Sequence, residues 1–347
     1  MGNMMKVAFM YGPRDMRIEE RPCPTAAVGE LLVKIHHVGI CGSDLHFLKD
    51  GRLGNWVVDE PLVLGHESAG EVVGIGAGVS GFKVGDRVAL EPGVPCGSCH
   101  QCMAGNYNLC AKMSFMAIPH ERNGTFCEYV AHPAKMCFTL PDTVSTLEGG
   151  LCEPLSVGLY AVQKSAARLG QSAVIFGTGC IGLTILLVLK AVGINDITVV
   201  DIAQKRLDKA LELGAKRIIR GDQADVVGIL SESGGCDLVF EAAGSPVTVL
   251  QASKVVAANG VVVIVGMTAD PVVSLDLGTM AGREARLETI YRYRNLYPTA
   301  IKAIESGSIP ISKIASHIFP FSSIVDSVLF NMDRPDEVIK GVISFVD

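Results

Sequence analysis

The sequence predicts an α/β protein of two domains, a β-rich one followed by a doubly wound parallel sheet. Three observations support this prediction. Short β-segments alternate with glycines in the first half, and a strand–helix rhythm begins near Pro154. The 347 residues also suffice for two domains of roughly 150 residues each. Hydrophobic residues make up 49% and charged residues 19%, which indicates a folded rather than a disordered chain.

The first half reads as a series of short strands. Residues 30–38 alternate in polarity as a half-buried strand does, and residues 68–75 and 86–90 are predicted to form two more strands. Glycines at positions 76, 78, 81 and 85 separate the last two. Many short strands joined by glycine turns are typical of a barrel-like all-β domain.

The second half alternates strands with helices. Residues 173–176 and 197–200 are predicted strands, and residues 181–192 and 204–213 are predicted helices. Further strands are expected at 237–241, 261–265 and 287–291, which together predict a parallel sheet covered on both faces. We expect the apolar run VVVIVGM after Gly260 to be exposed and to pair across subunits. Periodicity does not assign residues 297–347 to either domain.

Charge and cysteine content exclude several classes of partner. The net charge of −6 argues against nucleic acid, because phosphate binding requires clustered Lys and Arg. The first six residues lack a signal-peptide pattern, and no apolar run is long enough to span a bilayer. We therefore expect a cytoplasmic protein, in which the eleven cysteines serve as metal ligands or buried thiols.

A G-x-G-x-x-G run follows a predicted strand and begins a predicted helix. Gly177 permits the tight turn, Gly179 lets a pyrophosphate approach the backbone, and Gly182 lets helix and strand pack closely. Asp201, at the end of the next strand, can accept bonds from both ribose hydroxyls, which favours NAD over NADP. Two questions stay open: Arg206 could accommodate a 2′-phosphate or stack on the adenine, and Asp201 could serve only as a helix cap or loop carboxylate.

Four cysteines lie close together in one loop. Cys96, Cys99 and Cys102 are separated by two residues each, and Cys110 follows. This spacing suits four thiolates around a tetrahedral ion and predicts a closed, structural zinc site. The four cysteines could instead be present by chance or form a disulfide knot. Both alternatives are disfavoured in a cytoplasmic chain of this length, where spaced cysteines more often bind a metal.

A second, dispersed set indicates a metal site with an open position. Cys41 follows a predicted strand, His66 and Glu67 begin another, and Glu153 lies just before the second half. One thiolate, one imidazole and one or two carboxylates leave room for a water or a substrate oxygen on zinc. Taken singly, each residue could be a buried Cys, a core His or a surface Glu; the prediction depends on their joint placement.

These motifs together resemble the zinc-containing medium-chain dehydrogenases, and within that family the sorbitol (polyol) dehydrogenases. The resemblance is carried by GICGSD at 39–44, GHE at 65–67, the cysteine loop and the nucleotide motif. EPLSVG at 153–158 and YRYRNLYP at 291–298 are similar to segments of the polyol dehydrogenases.

The resemblance implies a domain organisation. Residues 1–154 and 292–347 would form a GroES-like catalytic domain, and residues 155–291 a Rossmann NAD-binding domain. It also implies a homo-oligomer, either a tetramer or a dimer.

The resemblance further implies roles for individual residues. Cys41, His66 and Glu67 would ligate the catalytic zinc, with Glu153 as a ligand or as the holder of a water. Ser43 and His46 would relay the proton. The cofactor contacts would include Ile181, Asp201, Arg206, Val265, Gly266 and Met267, and the substrate contacts would be Phe47, Phe115, Glu153, Arg292 and Tyr293.

The implied activity is oxidation of a secondary alcohol of a polyol, such as sorbitol or xylitol, to the ketose with NAD. Phe47 stands where a Tyr is usual, residues 117–123 differ from the usual substrate-covering loop, and Arg294 adds a charge. A polyol phosphate is therefore an alternative substrate. The sequence also allows a threonine-type or simple alcohol dehydrogenase, or a non-catalytic nucleotide-binding protein.

Overall fold

The computed structural model describes residues 3–346 and confirms the predicted α/β fold class. The chain divides into two compact units. The first takes in the chain up to Glu153, Tyr297–Gly307 and the chain from Ile311 onward; the second comprises Pro154–Leu296 and Ser308–Pro310. The predicted boundaries at 154/155 and 291/292, and the functions given to the two domains, stay predictions.

The N-terminal part of the first unit is mainly β-structure. Its strands are β1 (Met4–Gly12), β2 (Asp15–Pro22), β3 (Glu30–Gly39), β4 (Arg52–Leu53), β5 (Trp56–Val57), β6 (Leu62–Val63), β7 (Glu67–Ile75), β8 (Arg87–Leu90), β9 (Gly93–Val94), β10 (Ser114–Phe115), β11 (Tyr129–Pro133) and β12 (Cys137–Thr139). Its helices are α1 (Gly42–Asp50), α2 (His100–Met103) and α3 (Thr146–Gly150), with 3-10 turns at Tyr107–Leu109 and Ala134–Met136. The three strands predicted here coincide with β3, β7 and β8.

The second unit alternates helix and strand. Its elements are α4 (Cys152–Ser165), β13 (Ser172–Phe176), α5 (Cys180–Ala191), β14 (Asp196–Asp201), α6 (Gln204–Glu212), β15 (Arg217–Arg220), α7 (Val226–Ser231), β16 (Cys236–Glu241), α8 (Pro246–Val255), β17 (Val256–Ile264), α9 (Leu277–Gly282) and β18 (Arg286–Thr289). The sheet order is β15-β14-β13-β16-β17-β18, and every neighbouring pair is parallel. The order reverses between β13 and β16, which is where doubly wound sheets bind their ligands.

The C-terminal segment completes the first unit. It contributes α10 (Tyr297–Glu305), β19 (His317–Pro320), α11 (Ile324–Asp333) and β20 (Gly341–Ser344), with 3-10 turns at Ile311–Ile314 and Phe321–Ser323. β20 pairs antiparallel with β3, so the seven-stranded sheet runs β12-β8-β7-β3-β20-β19, with β11 also paired to β3. The tail strand therefore lies beside the strand that leads to Cys41.

The apolar run after Gly260 is buried at its start and exposed only at Met267, so the prediction that the run is exposed was wrong for its strand residues. Val261, Val262 and Val263 are 1%, 0% and 0% exposed and form the interior strand β17, between β16 and β18. A strand covered by helices on both faces is apolar at every position, which explains the run without any subunit contact.

Among residues 3–346, no helix has the length and apolar character needed to cross a membrane.

Candidate functional site

The four cysteines of the loop converge in the structure. The ligand atoms of Cys96, Cys99, Cys102 and Cys110 all lie within 4.8 Å of one another. The Sγ atoms of Cys99 and Cys102 are 3.4 Å apart, and those of Cys99 and Cys110 are 3.9 Å apart. Helix α2 holds Cys102 one turn beyond Cys99, and the 3-10 turn at Tyr107–Leu109 brings Cys110 back.

The loop lowers the pKa of two of its thiols and raises that of a third. The backbone N–H groups of Ser98 and Cys99 lower the pKa of Cys96 to about 6. A backbone hydrogen bond involving Cys102 lowers the pKa of Cys99 as well. Burial, together with the bond to Cys99, raises the pKa of Cys102 to about 12. Four soft sulfur donors at these separations fit a tetrahedral zinc ion, whose bonds to thiolate sulfur are about 2.3 Å long.

Cys41, His66 and Glu67 form a second cluster. Their ligand atoms lie within 4.8 Å of one another, although 25 residues separate Cys41 from His66. Cys41 caps helix α1 after strand β3, while Glu67 begins β7 and pairs with Gly39 at the end of β3. The β3–β7 register therefore brings the two segments together. A thiol, an imidazole and a carboxylate are a donor set that zinc accepts.

Asp44 organises this cluster. It is 0% exposed, and its Oδ2 accepts a hydrogen bond from the Cys41 N–H (2.9 Å) while its Oδ1 accepts one from the Gly65 N–H (3.0 Å). Asp44 Oδ1 lies 3.7 Å from His66 Nδ1. Burial alone would lower the pKa of His66, but the Cys41 and Asp44 charges raise it well above its usual value. Cys41 and Asp44 therefore favour a positive charge at the position of His66.

Glu67 also has a cationic partner from the far end of the chain. The Nζ atom of Lys340 forms an ion pair with Glu67 Oε2, and it donates a hydrogen bond to the carbonyl of Ile40 (3.0 Å). A Cβ on Gly39 would lie 2.1 Å from Glu67 Oε2 and 3.0 Å from Lys340 Cε. Only glycine at position 39 therefore leaves room for this pair.

Glu153 is buried at the start of α4 but is not among the three clustered ligands. It is 6% exposed, and its charge acts on Glu91, a second buried carboxyl at the end of β8. The pKa of Glu91 is raised to about 7, mainly by burial. The hydrogen bond from Tyr107 opposes this increase, and the charge of Glu153 adds to it. The Tyr107 hydroxyl donates to Glu91 Oε1 at 2.7 Å, which links this carboxyl to the cysteine loop.

The predicted relay and substrate residues of the first unit occupy different environments. Ser43 is half-buried and His46 is exposed on helix α1, with His46 Nδ1 3.7 Å from Asp50 Oδ2. Phe115 is buried, and its ring centroid lies 5.5 Å from that of His66. Phe47, by contrast, is 1% exposed and packs in the hydrophobic core of the first unit.

Arg292 and Tyr293 belong to the second unit. Arg292 has a positive φ of 55°, and its guanidinium lies over the Tyr291 ring at 4.9 Å. Tyr293 is 3% exposed, and Arg294 lies over the Tyr160 ring at 5.2 Å. The aromatic contacts of the two arginines therefore lie within the second unit.

The glycines of the nucleotide motif have the geometry that the motif requires. Gly177 has a φ of +86°, and a Cβ on Gly182 would lie 1.9 Å from the Gly177 carbonyl oxygen. A Cβ on Gly179 would meet no described atom within 4 Å. Packing therefore explains Gly177 and Gly182, whereas Gly179, the N-cap of helix α5, faces space that a pyrophosphate can fill.

Asp201 is held by the glycine turn. Its Oδ2 accepts hydrogen bonds from the N–H (2.7 Å) and the hydroxyl (3.0 Å) of Thr178, and its Oδ1 accepts one from the Ala203 N–H (2.9 Å). Asp201 thus takes the loop-carboxylate role that the sequence left open. Each carboxylate oxygen has two lone pairs, so Oδ1 keeps the capacity to accept a ribose hydroxyl.

A cavity of about 450 Å³ lies at the carboxyl ends of β13, β14 and β16. Four of the predicted cofactor residues line it: Gly177, Gly179, Asp201 and Arg206. Its remaining lining residues are Val200, Ile202, Gly221, Ala242, Ala243, Ser245, Val247, Thr248 and Gln251. Ile181, Gly182, Val265, Gly266 and Met267 are not among them. The cavity's volume and its position at the reversal of strand order fit a nucleotide.

Known proteins share this whole architecture. The family model of the alcohol dehydrogenase GroES-like domain matches residues 27–142, and that of zinc-binding dehydrogenases matches residues 180–306. Sorbitol dehydrogenase of Bacillus subtilis is 36% identical over 98% of this chain and 97% of its own length. The chain belongs to the zinc-containing medium-chain dehydrogenases.

Solved structures of dehydrogenases have the same fold over nearly the whole chain. An Escherichia coli oxidoreductase of unknown specificity matches with a TM-score of 0.94 and 38% identity, over 99% of this chain and 100% of that one. The 2R,3R-butanediol dehydrogenase of B. subtilis matches with a TM-score of 0.90 and 33% identity, over 98% and 99% of the two chains. The protein is thus an oxidoreductase of the zinc-dependent alcohol and polyol dehydrogenase group.

Sequence reasoning missed several residues of this medium-chain dehydrogenase that support its sites. Asp44, Glu91, Glu241 and Lys340 are each at most 3% exposed, which is rare for charged side chains without a partner. Asp44 carried a usable signal, because an acid three residues after a helix cap can bond back to the cap's N–H. Lys340 carried none, since its partner is more than 270 residues away along the chain.

Proposed function

We propose that this protein is an NAD-dependent zinc dehydrogenase that oxidises a secondary hydroxyl of a polyol, such as sorbitol or xylitol, to the ketose. The observation that carries the proposal is the convergence of Cys41, His66 and Glu67 beside the Phe115 ring. Three ligands from one unit leave at least one position of a tetrahedral ion open, as catalytic zinc requires.

Zinc held there would polarise the substrate oxygen as a Lewis acid. Glu153 is proposed as a further ligand or as the holder of a water. The Ser43 hydroxyl would accept the substrate proton, and His46 would release it to solvent. The exposure of His46 supports that last role, because its ring is in contact with solvent.

The four-cysteine loop is proposed to hold a second, structural zinc. The loop offers four thiols and no further ligand within its cluster, so the ion would be closed to substrate. Such an ion contributes folding free energy rather than chemistry.

We assign substrate orientation to Arg292 and Tyr293, with Phe47 and Phe115 as further contacts. A polyol presents several neighbouring hydroxyls, and a site with buried polar groups discriminates against ligands that lack those hydroxyls. Phe47 is the weakest member of this set, because its side chain belongs to the core.

The cofactor is proposed to be NAD, bound in the cavity that Gly177, Gly179, Asp201 and Arg206 line. Ile181, Gly182, Val265, Gly266 and Met267 do not line this cavity, and their cofactor contacts are proposed from the family resemblance alone. The Asp201 carboxylate supports NAD, since its charge would repel the 2′-phosphate of NADP. Arg206 lines the same cavity, which keeps NADP as the alternative to test.

The proposal is tested by assaying the purified, zinc-loaded protein with NAD and NADP against sorbitol, xylitol, galactitol 1-phosphate, threonine, butanediol and ethanol. We expect the highest kcat/KM for a free polyol with NAD. Turnover confined to butanediol or threonine would replace the polyol assignment, and butanediol has specific support from the likeness to butanediol dehydrogenase. Turnover confined to the phosphate ester would assign the protein to polyol phosphates.

A substitution separates an enzyme from a nucleotide-binding protein. Cys41→Ser is expected to remove one zinc per chain and nearly all activity while the other zinc remains. Cys23→Ser is the matched control, because Cys23 is a free, half-buried thiol outside both clusters. Retention by Cys41→Ser of every measurable function would instead support a non-catalytic role.

A further inference from the structure

Glu241 is a buried acid at the end of β16 that no motif of the sequence identifies. Its side chain is 0% exposed. Its Oε1 accepts hydrogen bonds from the N–H groups of Ala243 (3.0 Å) and Gly244 (2.9 Å) and from the Thr248 hydroxyl (2.7 Å). One carboxylate oxygen therefore fixes the turn after β16 and the first turn of α8.

The backbone of the same residue fixes a second turn. The Glu241 carbonyl accepts hydrogen bonds from the N–H groups of Val265 (2.8 Å) and Gly266 (2.9 Å), which follow β17. The turns after two neighbouring strands are thus attached to a single residue, one through its side chain and the other through its main chain.

Glycines pack these turns backbone to backbone. A Cβ on Gly266 would lie 2.3 Å from the Gly244 N and 2.7 Å from Glu241 Oε2, and one on Gly244 would lie 2.5 Å from the Met267 carbonyl oxygen. A Cβ on Gly177 would lie 2.6 Å from the Ala243 N. The bonds to Glu241 therefore hold two of these turns, and the glycine turn is joined to the first of them by the hydrogen bond from the Ala242 N–H to the Phe176 carbonyl (2.8 Å).

Two further observations distinguish Glu241 from an ordinary structural acid. Ala242, Ala243, Ser245 and Thr248 line the 450 Å³ cavity, so the segment that Glu241 holds is the wall of the nucleotide site. The other carboxylate oxygen, Oε2, is buried without a hydrogen-bond partner among the described residues. Burying such an oxygen without a partner is destabilising, so stability alone does not explain an acid here.

We propose that the Glu241 side chain positions the cofactor, because it shapes the cavity wall by holding the 242–245 turn and the start of α8 beside the glycine turn. The inference rests on the proposed function, since it takes the cavity as the dinucleotide site. It adds a residue that touches no cofactor but sets the affinity for it.

The test measures NADH binding by fluorescence titration, with melting temperatures, on the zinc-loaded enzyme. Glu241→Ala removes all three side-chain bonds and is expected to raise the Kd for NADH about tenfold or more. kcat at saturating NAD should change much less than KM for NAD. Glu241→Gln keeps an acceptor oxygen and is expected to stay within about threefold of wild type, since neutral acceptors retain most of the bond.

A matched control lies at the other end of the same strand. Asp237 Oδ2 accepts hydrogen bonds from the N–H (2.8 Å) and the hydroxyl (2.9 Å) of Ser172, away from the cavity. Asp237→Ala should lower the melting temperature without changing the Kd for NADH. If Glu241→Ala does not fold, Thr248→Val removes the hydroxyl that bonds Glu241 Oε1 and the Ser245 carbonyl, keeps the other two bonds to Glu241, and should raise the Kd by about threefold.

The outcomes are distinct. Wild-type affinity in Glu241→Ala, equal weakening in Asp237→Ala, or equal weakening in Glu241→Gln and Glu241→Ala would each overturn the positioning role. If Glu241→Ala does not fold, wild-type affinity in Thr248→Val would overturn it. A wild-type protein that binds neither NADH nor NADPH would instead overturn the proposed function, before any variant is compared.

Discussion

Lys340 and Glu67 form a buried ion pair between the last strand of the chain and the candidate metal cluster. Their side chains are 3% and 2% exposed, and the lysine is also bonded to the Ile40 carbonyl, one residue before Cys41. The C-terminal strand β20 begins directly after Lys340 and pairs with β3. The tail thereby sets the charge around a predicted zinc ligand.

Replacing Lys340 with Met should destabilise the metal-free protein. Removing one partner of a buried ion pair costs about 3–5 kcal/mol, because the remaining charge is left uncompensated. Zinc would neutralise Glu67 in its place, so we expect a smaller loss in the zinc-loaded protein. Chemical denaturation with and without zinc measures both values. If Lys340→Met causes the same loss of stability in a Glu67→Gln background, the ion pair with Glu67 is not the cause of that loss.

Cys99→Ala should lower the melting temperature and remove one zinc per chain, because structural zinc contributes to folding free energy. Metal content and thermal unfolding are the measurements. Cys23→Ala is the control and should change neither. An intact melting temperature together with the loss of one zinc would contradict a structural role for the loop.

His132 predicts a pH dependence of stability. Burial and the charge of Arg122 lower its pKa to about 3, against the opposing effect of its bond to the Glu91 carbonyl. A depressed histidine pKa stabilises the fold above the unfolded value of about 6.5, and that contribution is lost as the pH falls toward 3. The unfolded state binds the proton more readily in this window.

The measurement is the free energy of unfolding of wild type and His132→Gln between pH 7 and 5. The free energy of unfolding of the wild type should fall more steeply than that of His132→Gln as the pH decreases. The stability of the variant relative to the wild type should therefore increase. Both proteins keep the same metal ligands, so loss of zinc in acid should largely cancel. Parallel curves would show that His132 does not titrate as predicted.

Asp201→Asn should weaken NAD binding by about tenfold and reduce the preference for NAD over NADP. The carboxylate that would accept a ribose hydroxyl and repel a 2′-phosphate becomes a neutral amide. Kd values for the two reduced cofactors provide the measurement. Thr178→Val is the control, because it removes one bond to Asp201 and leaves the carboxylate charged. A variant with unchanged cofactor preference would assign discrimination to another residue.

Local patterns predicted most strands of the second unit but few of the short strands of the first. Period-two alternation identified β3, and apolar runs between glycines identified β13 and α5 to within a residue. The strand predicted at 261–265 coincides with the end of β17, but its exposure was predicted wrongly, because an apolar run alone does not distinguish a strand buried on both faces from an exposed patch.

For the candidate metal site, the sequence predicted the ligand residues better than the residues around them. Cys41, His66 and Glu67 are grouped as the sequence predicted, whereas Glu153 lies outside that group and Phe47 is in the core. Whether a side chain points into a site or into the core depends on helix orientation, which spacing alone does not specify.

By itself, the sequence determined the strand–helix alternation of the second unit, the cysteine loop and the glycine turn. These are local properties: hydrophobic period, ligand spacing and the conformational freedom of glycine all act over a few residues. Only the tertiary structure decided that Lys340 faces Glu67, that Asp44 joins Cys41 to His66, and that Glu241 holds two turns together. Those contacts depend on strand pairing and sheet order, which bring residues together irrespective of their distance along the chain.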